Sequence, residues 1–262
     1  MNKPDAENST SNTADKGGVA ALDRAFAILA AFTPAAPALT LAELAARTGL
    51  YKSTILRIAQ SLLQHRFLQR LEDGRYQIGP APLILGALYQ RNLKLGDILL
   101  PLMRELGAQC GESLSFYVRD GDVRVCLHRV DSRHTVRDHV AEGDVLPLEH
   151  GSGGRVLGAF AGLPGEPYDT IRRDFFCHSS GERDPDTAGI SAPVFGPGQR
   201  LLGALTVAGP RSRIDQTFID RMRAPLLAIA ARATAALGGD ALPLETARAD
   251  HQTSAGRKAR NA

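Results

Sequence analysis

Two short stretches of this chain carry side chains whose types and spacing can do chemistry. The first is Tyr51-Lys52-Ser53-Thr54-Ile55-Leu56-Arg57. Wound as a helix, it puts Ser53, Arg57, Gln60 and Gln64 on one polar face and Ile55, Ile58, Ala59 and Leu62 on the other. A guanidinium at Arg57 offers a fork that fits the O6/N7 edge of guanine. The hydroxyls of Ser53 and Thr54 can meet a base or a phosphate, and Lys52 suits a phosphate. Arg47, late in the preceding helix, is a further phosphate candidate. Arg70 and Arg75, in a following hairpin, would lie beside the backbone or the minor groove. The bland alternative is a solvated helix face.

The second stretch is Gly151-Ser152-Gly153-Gly154, which precedes a helical segment. Bare amides at a helix N-terminus can hold a carboxylate, and Ser152 and Thr206 can add hydroxyl donors. The alternative is a tight turn packed against a sheet. The stretch lacks the Gly-Lys-Ser/Thr ending of a nucleotide-binding loop. Ser152 sits in Gly-Ser-Gly rather than Gly-x-Ser-x-Gly, which argues against a hydrolase nucleophile. His128, His134, His139, His150 and Cys126 match no zinc spacing. Cys110, Cys126 and Cys177 are widely spaced, with no CxxC pair. No catalytic residue, metal or cofactor is expected.

The elements that must position these residues can be read from local signals. A helix from Val19 carries Leu22, Phe26, Leu29 and Phe32 as one apolar stripe and stops at Pro34 and Pro37. Thr40 and Glu43 form a capping box, flanked by Leu39 and Leu44 as a hydrophobic staple. Gly49 ends that helix, and the next runs from about Lys52 to His65. FLQRL and RYQIG flank an Asp73-Gly74 turn and read as two strands. The first eighty residues are therefore a winged helix-turn-helix. APLILGALYQRNLKLG, at 81–96, is a helix too apolar for a solvated linker, suited to packing on a partner chain or on its own chain.

Beyond residue 96 the pattern is α+β. DILLPLMRELGAQCG is a helix ending at Gly111. SLSFYV and VRVCLHRV are strands, with HTVRDHV a candidate third. GISAPVF and RLLGALTVAG pair around Gly196-Pro197-Gly198. A long helix containing Pro225 closes the domain. Hairpin-linked strands with helices at each end imply one antiparallel sheet.

The 262 residues carry a net charge of +3. Residues 19–80 hold seven Lys/Arg against four Asp/Glu, whereas 81–240 are slightly acidic. A basic small module joined to a near-neutral one fits nucleic-acid binding by the first. No apolar run is long enough to span a membrane, and the cytoplasm is the expected compartment. The polar segments 1–18 and 240–262 are expected to be disordered tails. The remaining divisions are a DNA-binding domain at 19–80, a linker or dimerisation helix at 81–96 and an effector-binding domain at 97–239.

ALDRAFAILAAF, LTLAELAARTGLYKSTILRIAQSLLQHRFLQR and GRYQIGP resemble the winged domain of the IclR family of bacterial transcription regulators. LPLEHGSGGRVLGAF and SSGERDPDTAGISAPVFGPGQRLLGALTVAGPRSRI are similar to signatures of that family's second half. The resemblance covers about residues 19–239. Tyr51 departs from the proline common before Lys-Ser-Thr, Arg155 from a common Lys and Glu149 from a common His. The resemblance implies a GAF-like C-terminal domain that binds a small organic or aromatic acid. Its pocket would lie among Gly151, Ser152, Gly153, Gly154, Ser179, Gly189 and Thr206. It also implies a homodimer or homotetramer on a double-stranded DNA operator; members of the family act as repressors, activators or both, and repression is the expected sign here. The competing class is a metabolite-binding protein or enzyme in which the helix-turn-helix is only scaffold.

Overall fold

A computed structural model describes residues 19–93 and 95–260. The expected tail at 1–18 lies outside the described residues, as do 261 and 262. The chain divides into two compact units, with the boundary between Tyr89 and Gln90.

The first unit holds α1 (Ala20–Ala30), β1 (Ala38–Leu39), α2 (Leu41–Thr48), α3 (Lys52–Gln64), β2 (Leu68–Arg70) and β3 (Tyr76–Ile78). The capping box forms as the sequence requires. The Glu43 amide donates to Thr40 Oγ1 at 3.2 Å, and the Thr40 amide donates to Glu43 Oε2 at 2.7 Å. These bonds to its charged form hold the Glu43 carboxyl below its ordinary pKa. Gly49 ends α2 with φ +69°, a left-handed conformation that a side chain would strain. The wing is an antiparallel sheet in the order β1-β3-β2, with Arg70 opposite Tyr76 and Leu39 opposite the same tyrosine. Ile28, Leu39, Leu44, Ile55, Ala59, Leu68 and Tyr76 form one buried core.

The stripe expected along α1 is buried only at its C-terminal end. Ile28 is fully buried, and Leu29 and Phe32 are half-buried against the core, but Leu22 and Phe26 are exposed. The segment is helical over Ala20–Ala30, and its contribution to the core comes from Ile28 and Leu29, with Phe32 just beyond the helix end. The next helix, α4 (Ala81–Leu93), runs across the boundary and exposes Leu83, Ile84, Leu85, Leu88 and Tyr89.

In the second unit α5 (Leu95–Cys110) leads into β4 (Ser113–Asp120), β5 (Val123–Val130) and β6 (Val145–Pro147). Then come α6 (Gly151–Phe160), α7 (Tyr168–Asp174), β7 (Cys177–Ser180), β8 (Thr187–Phe195), β9 (Leu201–Pro210), α8 (Gln216–Ala236) and α9 (Leu242–Arg260). The six strands form one antiparallel sheet in the order β6-β5-β4-β9-β8-β7. Side chains alternate across it, as strand geometry dictates. Leu114 and Phe116, Ile190, Ala192 and Val194, and Leu205 and Val207 pack with α5, α8 and α9. The opposite face receives α6 and α7 and carries Tyr117, Cys126 and Ala204.

Two expectations fail here. HTVRDHV is not a strand: residues 134–140 form a loop, and the sheet's third hairpin strand is Val145–Pro147. The loop is held by Asp138, which is buried and bonded to Arg129 and Arg183, so its groups serve an ion-pair network rather than a ladder. The segment expected as a disordered tail at 240–262 is helical over Leu242–Arg260. Its polarity suggested disorder, yet Leu244 is fully buried, and α9 packs on α8 through it.

Candidate functional site

The head of α3 is the first candidate site. Lys52, Ser53 and Arg57 are exposed and Thr54 is half-buried, while Ile55 and Ala59 on the far side are buried. Four residues of helix turn roughly 40° beyond one revolution, so Ser53 and Arg57 share a face and Lys52 lies on its flank. Among the described residues neither Lys52 nor Arg57 has an ion-pair partner. The other cations proposed for DNA contact are already engaged. Arg47 Nη1 donates to the Ala31 carbonyl at 2.8 Å, which ties α2 to the end of α1. Arg70 Nε donates to the Gly74 carbonyl at 3.3 Å, with its guanidinium 5.7 Å from the Tyr76 ring centroid. Arg75 Nε meets Asp73 Oδ2 at 2.8 Å. That pair is about half exposed, so a phosphate can replace the carboxylate at little cost. Tyr51, read from sequence only as a departure from proline, is 83% exposed at the residue preceding α3.

The second candidate site lies between the first turn of α6 and the sheet. Strand alternation brings a row of small hydroxyls to that side. Ser115 is opposite Thr206, and Thr206 is opposite Ser191. Ser152 Oγ lies 2.8 Å from Ser191 Oγ, which lies 2.8 Å from Thr206 Oγ1. All three are buried. Gly153 is required by this approach: a Cβ there would stand 2.8 Å from Thr206 Oγ1. At Gly154 it would stand 2.0 Å from the Leu148 carbonyl oxygen.

The amides at this helix start are not bare. The Gly151 amide donates to Glu182 Oε2 at 3.2 Å, and the Ser152 amide to Ser179 Oγ at 2.7 Å. Arg155 pairs with the other Glu182 oxygen at 2.9 Å. A carboxylate from within the chain thus already sits where an acid was expected. The cavity left between α6 and the sheet is about 30 Å³. That is roughly the liquid volume of one water, far below the ~300–1,000 Å³ of pockets that enclose drug-sized ligands.

Of the expected pocket residues, Gly151, Ser152, Gly153, Ser179, Gly189 and Thr206 line this cavity. Gly154 does not; it is pressed against Leu148 and Arg124. Sequence reasoning missed Tyr117, Arg124, Asp138, Glu182, Arg183 and Ser191. Ser191 had a signal: it alternates with Ile190 and Ala192 in a strand paired to the one holding Thr206. Arg124 is 3% exposed, with its guanidinium 4.8 Å from the Tyr117 ring centroid and Nη1 donating to the His150 carbonyl at 2.7 Å. Burial lowers the pKa of Arg124 and raises that of Tyr117.

Residues 21–72 match the IclR helix-turn-helix domain, and residues 87–163 match the C-terminal domain of the bacterial transcriptional regulator IclR. The chain belongs to the IclR family. It is 28% identical over 207 residues to the HTH-type transcriptional regulator KipR of Bacillus subtilis (strain 168), across 69% of this chain and 82% of that protein. It is 23% identical over 251 residues to the transcriptional repressor IclR of Escherichia coli (strain K12), across 85% and 92%. The fold matches the crystal structure of an IclR transcriptional regulator from Alicyclobacillus acidocaldarius with a TM-score of 0.71 at 22% identity, over 84% of this chain and 100% of that one. It also matches an IclR homologue from Microbacterium hydrocarbonoxydans, crystallised with 4-hydroxybenzoate, with a TM-score of 0.70 at 21% identity, over 83% and 98%.

As an IclR-type regulator this protein is a helix-turn-helix transcription factor, not an enzyme. Its thiols are poorly suited to nucleophilic work. Burial pushes Cys126 up to about 11 and Cys177 up to about 12. Among the described residues no helix is long and apolar enough to cross a membrane.

Proposed function

We propose that this IclR-family regulator is a cytoplasmic repressor that binds its operator as a homodimer, or as a homotetramer built from dimers. A small organic acid entering beneath α6 would modulate that binding. The carrying observation is the pair of exposed cations, Lys52 and Arg57, that have no ion-pair partner among the described residues, on a helix whose opposite face is locked into the core. In this fold class that end of the helix enters the major groove. Arg57 and Ser53 then face base edges, Lys52 faces a phosphate, and Arg70 and Arg75 on the wing lie beside the backbone.

Two further observations support the rest. Leu22 and Phe26 on α1 and Leu83, Leu85 and Leu88 on α4 are exposed apolar side chains of the kind a second copy covers. The buried hydroxyls of Ser152, Ser191 and Thr206 can reorganise around a ligand oxygen, and a homologue of this fold was crystallised with an aromatic acid. Selection of the full chain against a random-sequence duplex library, followed by a salt titration of the enriched site, tests the reading. Enrichment of a two-fold symmetric site with a steep salt dependence is expected. No enrichment at low salt, with and without a metabolite mixture, would leave the helix-turn-helix as scaffold and the protein as a metabolite binder.

A further inference from the structure

Several arginines in the second unit that reach the interior carry a carboxylate partner, whereas among the described residues Arg124 and Arg248 have none. Arg129 pairs with Asp138 at 3.2 Å, and Arg183 pairs with the same carboxylate. Arg155 pairs with Glu182 at 2.9 Å. Arg213 Nη2 donates to the buried Glu112 at 2.8 Å. Arg124 is 3% exposed, and it has no carboxylate within ion-pair distance among the described residues. Among the same residues its Nε is a buried donor with no acceptor, as are those of Arg223 and Arg248, but only Arg124 of the three lines the cavity beneath α6. A buried cation without a counterion is costly, and folded proteins satisfy such groups or reserve them for a ligand.

The position of Arg124 indicates which ligand. The guanidinium lies under the first turn of α6, where a Cβ on Gly151 would come within 3.2 Å of its Nη2. It lines the same cavity as Ser152, Thr206 and Tyr117. The helix amides that would otherwise draw an anion are taken by Glu182 and Ser179. The nearby carboxylates, Asp138 and Glu182, are already claimed by Arg129, Arg183 and Arg155. Among these groups Arg124 is the guanidinium that no carboxylate of the described residues pairs with.

We infer that Arg124 is the anion-recognising residue of this pocket, pairing with the carboxylate of a small monocarboxylic acid while the Ser152–Ser191–Thr206 hydroxyls take its other oxygen or face its body. This deepens the effector reading and rests on it. It also moves the acid's charge from the helix N-terminus to a strand residue.

The test uses the full chain and matched pairs of probes: acetate, lactate, benzoate and 4-hydroxybenzoate, each against its primary amide. Binding is read by calorimetric titration. The wild type should bind at least one acid and prefer it over its amide by about tenfold or more, as expected for a charge-assisted bond. Arg124→Met should erase that preference, and Arg124→Lys should retain part of it. Thermal melting of the unliganded proteins adds a readout that a structural role would move the other way. Removing an unpaired buried charge should leave R124M melting at or above the wild type. If R124M does not fold, R124Q and R124K supply the same comparison. An acid that binds wild type, R124M and R124Q equally would overturn the role of Arg124 and leave the pocket standing. Amides binding as well as acids would overturn the anion assignment. No binding by any probe would overturn this inference together with the effector reading.

Discussion

Replacing Arg57 with alanine separates the two roles that α3 can give to a cation. Arg57 shares a face with Ser53 opposite the buried Ile55 and Ala59, so in the groove it points at base edges, while Lys52 lies on the flank. A bidentate guanidinium–guanine contact is worth ~1–3 kcal/mol, or about five- to 150-fold in affinity, at one base pair. A symmetric dimer carries the contact twice, so R57A should cost ~2–6 kcal/mol on the enriched site and much less on a site substituted at that position. Lys52→Ala should behave differently. Each lost phosphate contact flattens the plot of log affinity against log salt by about 0.9, so a dimer should lose about 1.8 in slope while keeping its sequence preference. Both variants should fold, because both side chains are exposed and, among the described residues, have no ion-pair partner. The assay is fluorescence anisotropy on the enriched duplex and on single-base variants across a salt series. Equal loss on every sequence for R57A, with the slope change assigned to K52A, would show that Arg57 grips a phosphate and that α3 docks in another orientation.

Three other perturbations follow from the same geometry. The double variant S152A/T206V strands the Ser191 hydroxyl, which is 0% exposed, and should cost ~1–3 kcal/mol in a denaturant melt; it should also abolish the response to acid while DNA binding persists, and an unchanged dose-response would remove both residues from the pocket. Thr40→Ala removes the cap of α2 and should destabilise the first unit by ~1 kcal/mol; no loss in a melt of that unit's signal would mean that packing of Leu39 and Leu44 alone sets the helix start. Cys177 is held near 12 in the folded chain against an ordinary 9.0, so the folded state keeps a proton that the unfolded state releases; stability should therefore fall as pH rises from about 9 toward about 12, and Cys177→Ser should flatten that decline in thermal melts.

The first unit was legible because its signals are local. A capping box, a left-handed glycine and an Asp-Gly hairpin each fix backbone conformation within four residues, and α2, α3, β2 and β3 appear where those signals put them. The longer strands β4, β5, β8 and β9 were legible for the same reason, since each pair flanks a local turn signal, Arg119-Asp120-Gly121-Asp122 or Gly196-Pro197-Gly198. What escaped depended on partners distant in sequence. The edge strands β6 and β7 have three and four residues, too few for a period, and exist because β5 and β8 offer them ladders. The α9 helix has little apolar character of its own and is docked through Leu244. Leu22 and Phe26 obey the helical period and yet are exposed among the described residues.

The candidate pocket divides along the same line. Ser152 and Thr206 could be named because one sits in a glycine-rich helix start and the other in a family signature. The glycines themselves were ambiguous. Gly153 and Gly154 turn out to serve closeness, since a Cβ on either would collide with Thr206 or with the Leu148 carbonyl. That closeness keeps the cavity between α6 and the sheet small, about 30 Å³. Arg124 was invisible for a more general reason. A charged residue between Val123 and Val125 in a strand reads as solvent-facing. Here α6 covers that face, and the missing counterion becomes apparent only when the salt bridges of its neighbours are assigned one by one. The functional information at this site lies in a charge imbalance, which belongs to the folded arrangement and to no single motif.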